Sequence, residues 1–234
     1  TLSLHDALPI SAETDTVVIF GKVWDVEVKE ILRCSQSENM GMIRDTVEYF
    51  KSLGKEVIFD AEHYFEAYKC NPVYAVQCLK AAESGGASAV VLCDTNGASM
   101  PEIIDSCVRE VVSEISCKTG IHTHNDSGLA VANSITAVLA GASHVQGTFN
   151  GIGERCGNAN LSTIIPNLQL KYGIECIPPD KMQMLTHAAR AMADVSNITL
   201  TGQEPYIGVS AFSHKAGMHV DGVKKNPSTF EHVE

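Results

Sequence analysis

The sequence predicts an α/β fold whose parallel strands are arranged as a (β/α)8 barrel. Three observations carry this expectation. Short apolar runs alternate with amphipathic helical patterns, the order that builds a parallel sheet. The runs VVIF, VIF and AVVL are continuously apolar, as strands covered on both faces should be. Each run also ends, on its C-terminal side, in groups able to bind or ionise: Lys22; Asp60, Glu62 and His63; Asp94 and Thr95; His122, His124 and Asn125; Asn150, Glu154 and Arg155. A doubly wound sheet gathers its ligand groups at one switch point, whereas a barrel brings all its C-terminal strand ends to one face.

Taken in order, residues 1–15 read as a terminal extension, foreign in character to the rest of the chain and without function. Val17 to Phe20 is the first run, ending in Gly21-Lys22. A helix is predicted from Glu38 to Leu53, capped by Ser37 and carrying Met40, Ile43, Val47 and Phe50 at helical spacing. Val57 to Phe59 is the second run. Asn71-Pro72 opens a helix by cap and first-turn proline, with Val73, Val76 and Leu79 on one face. Ala89 to Leu92 is the third run, and Pro101 starts a helix carrying Ile104, Val108, Val111 and Ile115. Ile121 to His124 is the fourth, followed by a helix through Leu129, Ala132, Ile135 and Leu139 that Gly141 stops. Val145 to Phe149 is the fifth, followed by a helix from about Asn160 that Pro166 bends or ends. The expected barrel domain covers 16–200, its last helix running from Asp180 to about Val195. Met182, Leu185, Ala189 and Met192 make a stripe there that reads as packing. Gly202 to Gly222 reads as loop-rich, within a post-barrel segment at 201–234.

Composition narrows the function. The 234 residues suffice for a real core, and 44% hydrophobic with 19% charged residues is the balance of a globular protein. A formal charge of −11 without a dense Lys/Arg run argues against a nucleic-acid partner. The eight cysteines are scattered with no CxxC pair, which suits reduced thiols in the cytoplasm. No apolar run approaches membrane-spanning length, so no membrane partner is expected.

The chemistry concentrates in IHTHND (121–126) and GTFNGIGERCGNANL (147–161). Alternate side chains of a strand face one way, so His122 and His124 project together. Two imidazoles side by side make a metal chelate, or each satisfies a neighbour by hydrogen bonding. The polar Asn125-Asp126 and the glycine-rich stretch one βα unit later favour a site.

The segments IFGKVWD (19–25), FDAEH (59–63), LCDTNG (92–97), GIHTHNDSGLAVAN (120–133), QGTFNGIGERCGNANL (146–161) and SAFSHKAGMHVDG (210–222) resemble the isopropylmalate synthase-like family of metal-dependent Claisen-condensing barrels, in its citramalate-forming branch. The resemblance covers most of the chain from about Thr16. It implies that His122 and His124 bind a divalent metal (Mn2+, Mg2+ or Zn2+), with Asn158 as a third or neighbouring group. Glu62 would act in acid/base chemistry or hold the acetyl donor, the other reading of this carboxylate being a structural ion pair. Thr95 would hold the keto-acid carboxylate, with Asp94, Asn125 and Glu154 as further substrate-binding candidates. His219 or His214, reaching across a homodimer, would help deprotonate acetyl-CoA.

The same family opens its barrel with a DxTLRDG-type strand, which is absent here. Asp6 in LSLHDAL lacks both the arginine and a leading strand, so about the first two βα units, and the C-terminal regulatory domain, are expected to be missing. The implied reaction is pyruvate plus acetyl-CoA and water giving citramalate and CoA, a step of isoleucine biosynthesis. The DAEH and GIGERCGNANL forms favour pyruvate over the keto acids of 2-isopropylmalate or homocitrate formation. The third reading is an inactive fragment that keeps the histidines but cannot close its barrel and exposes a strand edge.

Overall fold

The structure, a computed structural model, describes residues 12–233. The expectations for Thr1–Ser11, including Asp6, lie outside the described residues. Five strands form one parallel sheet in sequential order: β1 (Thr16–Lys22), β2 (Glu56–Glu62), β3 (Ala89–Asp94), β4 (Lys118–Thr123) and β5 (His144–Gln146). The register pairs Lys22 with Glu62, Cys93 with His122, and His122 with Gln146. The strand ends carrying polar residues therefore lie side by side. Among the described residues β1 pairs only with β2, and its Val18 and Phe20 side chains are exposed.

The chain divides into two compact units. One runs to Gln146 and takes back Glu154–Ala159; the other holds Gly147–Gly153 and the chain from Asn160. In the first, helices Gln36–Ser52, Pro72–Ser84 and Pro101–Glu114 pack on the sheet through Ile43, Val47, Phe50, Leu79, Ile104 and Val108, all buried. β3 is buried along its whole length, as its unbroken apolar run requires. The second unit has a small core of Leu185, Ala189 and Ile207, with Phe149, Ile165, Met182 and Tyr206 packed against it. Among the described residues no helix is long and apolar enough to cross a membrane.

Local details depart from expectation for identifiable reasons. The first long helix is capped by Ser35, not Ser37, because Ser35 and Glu38 exchange side-chain and backbone hydrogen bonds as a capping box. Val73 is exposed; Tyr74, Ala75, Cys78 and Ala82 fill the buried face instead, with Val76 and Leu79 as expected. The helix after β4 (Ala130–Leu139) buries Ala130, Asn133, Ser134 and Ala137 and leaves Leu139 exposed. Its small residues bring the helix close to the strands, and periodicity in large apolar residues missed that face. β4 starts earlier and stops at Thr123, which places His124 just past the strand. The stretch expected as one helix from Asp180 is a 3-10 turn (Pro179–Met184) followed by the helix Leu185–Val195, and Met192 is exposed. Gly217–Lys225 is a helix where loop was expected. The helix Tyr64–Cys70 has no counterpart in the sequence reading; it comes after His63, whose left-handed backbone breaks the chain direction at the end of β2.

Candidate active site

Three strands contribute to a hydrogen-bonded line across the first unit. Gln146 Nε2 on β5 donates to Asp60 Oδ1 on β2 at 2.9 Å, and Gln146 Oε1 lies 2.8 Å from His122 Nδ1 on β4. Burial pushes the Asp60 carboxyl up to about 6, against the opposing pull of Gln146 and His122. The His122 and His124 rings stand 5.2 Å apart, tilted by 36°. His124 lies past the strand end because its backbone turns to bridge Asn158, while its N–H donates to the Asp94 carbonyl at 3.2 Å. Burial, then the neighbouring His122 and Arg155, lower the His124 pKa, which keeps this imidazole neutral at physiological pH.

The GERCGN segment is fastened beside this pair. Arg155 forks onto Asp126, Nε to Oδ1 at 2.9 Å and Nη2 to Oδ2 at 3.0 Å, and Nη2 also donates to the Thr95 carbonyl at 2.7 Å. The Asn125 N–H donates to the Gly157 carbonyl at 2.9 Å, and the Ala159 N–H to Thr123 at 3.0 Å. Arg155 itself has φ 54°, an uncommon conformation that these contacts hold in place. Gly97 shows how closely the segments meet: a Cβ there would sit 2.8 Å from both the Asp126 nitrogen and the His124 carbonyl oxygen.

A second charged cluster closes the ends of β1 and β2. Lys22 Nζ lies 2.5 Å from Glu62 Oε2 and 2.9 Å from Glu27 Oε1. The Glu62 atom meets no donor at hydrogen-bonding angles, so this contact is an ion pair rather than a directed bond. Burial alone would lower the Lys22 pKa, but Glu62 and Glu27 outweigh it and raise it. His63 stands between Glu27, at 3.9 Å, and Glu66, at 3.7 Å. Its backbone N–H donates to Thr95 Oγ1 at 2.8 Å. That leaves the Thr95 hydroxyl hydrogen free to be donated elsewhere.

Of the candidates, Glu62, Thr95, His122, His124, Asn125 and Asn158 all belong to the first unit. Asn125 Oδ1 accepts from the Ala130 N–H at 3.2 Å. Asp94 is fully buried; its carboxylate accepts from Ser99 Oγ at 2.9 Å and from the Ala98 and Ser99 backbone, so it shapes the turn that carries Thr95. Burial raises its pKa. The Glu154 side chain is 86% exposed, beside Arg155 at 3.8 Å. His214 and His219 belong to the second unit, where His214 Nε2 lies 3.8 Å from Glu231 and the His219 ring stacks on Phe230 at 4.2 Å. Sequence reading missed Gln146 as a site residue. The sequence places Gln146 in the run before the glycine-rich stretch, but only the strand register sets it beside His122.

A metal fits the histidine pair on the chemistry of its donors. His122 keeps Nε2 clear of its bond to Gln146, and the buried His124 Nδ1 has no hydrogen-bond partner. Among the described residues, no group of three His, Cys, Asp or Glu side chains could hold an ion, so the pair supplies two nitrogens and no carboxylate.

The HMGL-like family profile matches residues 3–193, well over half of the sequence. The chain belongs to the HMGL-like family. A second profile, homocitrate synthase post-HMGL domain-like, matches 206–234. Among HMGL-like relatives, the (R)-citramalate synthase of Aquifex aeolicus is 53% identical over 225 residues, which is 96% of this chain and 43% of that protein. The (R)-citramalate synthase of Geobacter sulfurreducens is 50% identical over 224 residues, covering 96% of this chain and 42% of the relative. The chain thus spans less than half the length of these curated relatives. A homocitrate synthase of Methanopyrus kandleri is more distant, 34% identical over 225 residues, covering 96% of this chain and 55% of that protein. The HMG-CoA lyase structure from Bacillus subtilis superposes with a TM-score of 0.70 at 18% identity, covering 88% of this chain and 70% of that one. An Acinetobacter baumannii HMG-CoA lyase solved with coenzyme A and 3-methylmalate gives a TM-score of 0.70 at 18% identity, covering 91% of this chain and 72% of that one. These likenesses establish the α/β barrel class of the five-stranded sheet. HMGL-like enzymes are metal-dependent, in keeping with the imidazole pair.

Proposed function

We propose that the protein to which this chain belongs condenses acetyl-CoA with pyruvate, giving citramalate and CoA, as an acyltransferase. The observation that carries this reading is the His122–His124 pair fastened beside the GERCGN segment, in a chain 53% identical to a citramalate synthase. The same likeness favours pyruvate over the 2-isopropylmalate and homocitrate alternatives, whose synthases match at 34–35% identity.

In this reading His122 and His124 hold a divalent ion, Mn2+, Mg2+ or Zn2+, with Asn158 beside them. When bound, the ion supplies Lewis-acid polarisation of the keto-acid carbonyl. Thr95 Oγ, already accepting from His63, donates its remaining hydrogen to the substrate carboxylate. Asp94 sets the turn that presents it, and Asn125 and Glu154 flank the binding region. Glu62, held by Lys22, acts on the acetyl methyl proton or orients the thioester, and His219 or His214 assists. A positioned acid or base contributes roughly 10²–10⁴-fold to such a proton transfer. Residues 16–200 are assigned to the barrel domain and 201–234 to a post-barrel subdomain, in keeping with the profile matches at 3–193 and 206–234. The eight free thiols support a cytoplasmic setting, and a homodimer is the family's arrangement.

The test is CoA release from acetyl-CoA with Mn2+ or Mg2+ and pyruvate, 2-oxoisovalerate or 2-oxoglutarate, beside His122→Ala. Pyruvate-dependent release that the variant loses supports the proposal. Release with another keto acid reassigns the substrate, and no release from folded protein favours an inactive fragment.

A further inference from the structure

We propose that Gln146 is a positioning residue that fixes His122 as the Nδ1–H tautomer, and that Asp60 in turn fixes which way the Gln146 amide faces. The inference rests on the metal-binding reading of the histidine pair and adds two residues to it.

The argument starts from donors and acceptors. A neutral imidazole has one N–H and one lone pair, and which nitrogen carries the hydrogen is decided by its partners. Gln146 offers His122 Nδ1 one end of its amide at 2.8 Å and Asp60 Oδ1 the other at 2.9 Å. An ionised carboxylate only accepts, so the end facing Asp60 must be the NH2 group. The carbonyl oxygen then faces His122, and Nδ1 must be the donor. Nε2 is left with the lone pair, the form a metal ligand needs. An amide turned the other way would set two acceptor oxygens against each other at Asp60 and offer His122 a donor, which selects the opposite tautomer.

The three residues also come from three strands, β2, β4 and β5, whose register places Gln146 directly beside His122. The orientation is therefore built into the sheet rather than carried by a loop. His124 lacks such a partner at Nδ1, so the two histidines are not equivalent: one is oriented through the sheet, the other through its backbone bridge to Asn158.

The experiment uses the 234-residue chain, wild type, Gln146→Leu, Gln146→Glu and His122→Ala, all checked for folding by circular dichroism. Histidine 15N–1H correlation spectra of metal-free protein are recorded about 1.5 pH units above the ordinary histidine pKa, where an unperturbed imidazole is neutral. Mn2+ affinity is measured by electron paramagnetic resonance. Wild type is expected to show His122 as the Nδ1–H tautomer. Gln146→Leu is expected to lose that form and bind Mn2+ roughly 10–100-fold more weakly. Gln146→Glu, which keeps an acceptor for Nδ1–H, is expected to retain the tautomer. If Gln146→Leu keeps the tautomer and the affinity while His122→Ala abolishes binding, the positioning role is wrong and the metal reading survives. If His122→Ala binds Mn2+ as wild type does, the metal reading itself fails. Should Gln146→Leu not fold, loss of the tautomer in folded Gln146→Glu overturns the proposal and its retention supports it.

Discussion

Gln146 on β5 reaches Asp60 on β2 at 2.9 Å although β3 and β4 lie between them. On a flat sheet three strand spacings would hold these residues roughly 14 Å apart. The contact forms because the sheet curls until its inward side chains meet, which is the curvature of a barrel wall. The same curl half-buries the Asp60 carboxylate.

That burial gives a pH signature. A carboxyl raised from 3.8 to about 6 in the fold stabilises the protein below its unfolded pKa and loses that contribution as pH rises through about 6. Asp60→Asn removes the titration. The unfolding free energy of the variant minus that of wild type is expected to climb by roughly 2–3 kcal/mol between pH ~4 and ~7, then level off. Urea unfolding at three pH values measures this. A constant difference would show that Asp60 ionises in the fold as it does in water.

Gly97 makes a second expectation. It has φ +60°, and a Cβ would press on the Asp126 nitrogen and the His124 carbonyl, backbone atoms that cannot swing aside. Gly97→Ala should therefore displace the 124–126 segment and weaken Mn2+ binding while the remote core stays folded. Unchanged Mn2+ affinity would mean the segment shifts without moving the His124 ring.

Fold class, strand order and the histidine pair were legible because they are set by period, apolar runs and residue type. The buried face of the Ala130–Leu139 helix was not, since it is made of Ala, Ser and Asn rather than large apolar residues. Asp94 is legible in the sequence as a polar strand-end group and a substrate-binding candidate; that its oxygens accept from Ser99 and Ala98 is set by the chain fold and is not legible there. Gln146 was missed for a related reason. An uncharged amide stands out only when strand register sets it between a carboxylate and an imidazole.

The Arg155 fork ties the GERCGN segment to two other loops, so its loss should appear as motion rather than global instability. Lysine keeps the charge but cannot span Asp126 and the Thr95 carbonyl together. In Arg155→Lys, the Asn125 and Ala159 amides, which bond to Gly157 and Thr123, are expected to exchange hydrogen faster, with the unfolding midpoint little changed. Exchange rates equal to wild type would assign the anchoring to those backbone bonds alone.

The two histidines after the barrel strands differ in surroundings, and that difference predicts which one would serve the proposed reaction. His214 has its Nε2 buried, 3.8 Å from Glu231, an arrangement suited to holding the local structure. His219 is exposed on the Gly217–Lys225 helix, with one ring face against Phe230, so its nitrogens remain open to a substrate or a second subunit. Under the proposed reaction, His219→Ala is accordingly expected to lower kcat for citramalate formation by roughly 10²–10⁴-fold with KM for pyruvate little altered. His214→Ala is expected to lower thermal stability more than kcat. Steady-state kinetics and thermal melts of the two variants separate these roles, and a larger kcat loss in His214→Ala would reverse the assignment.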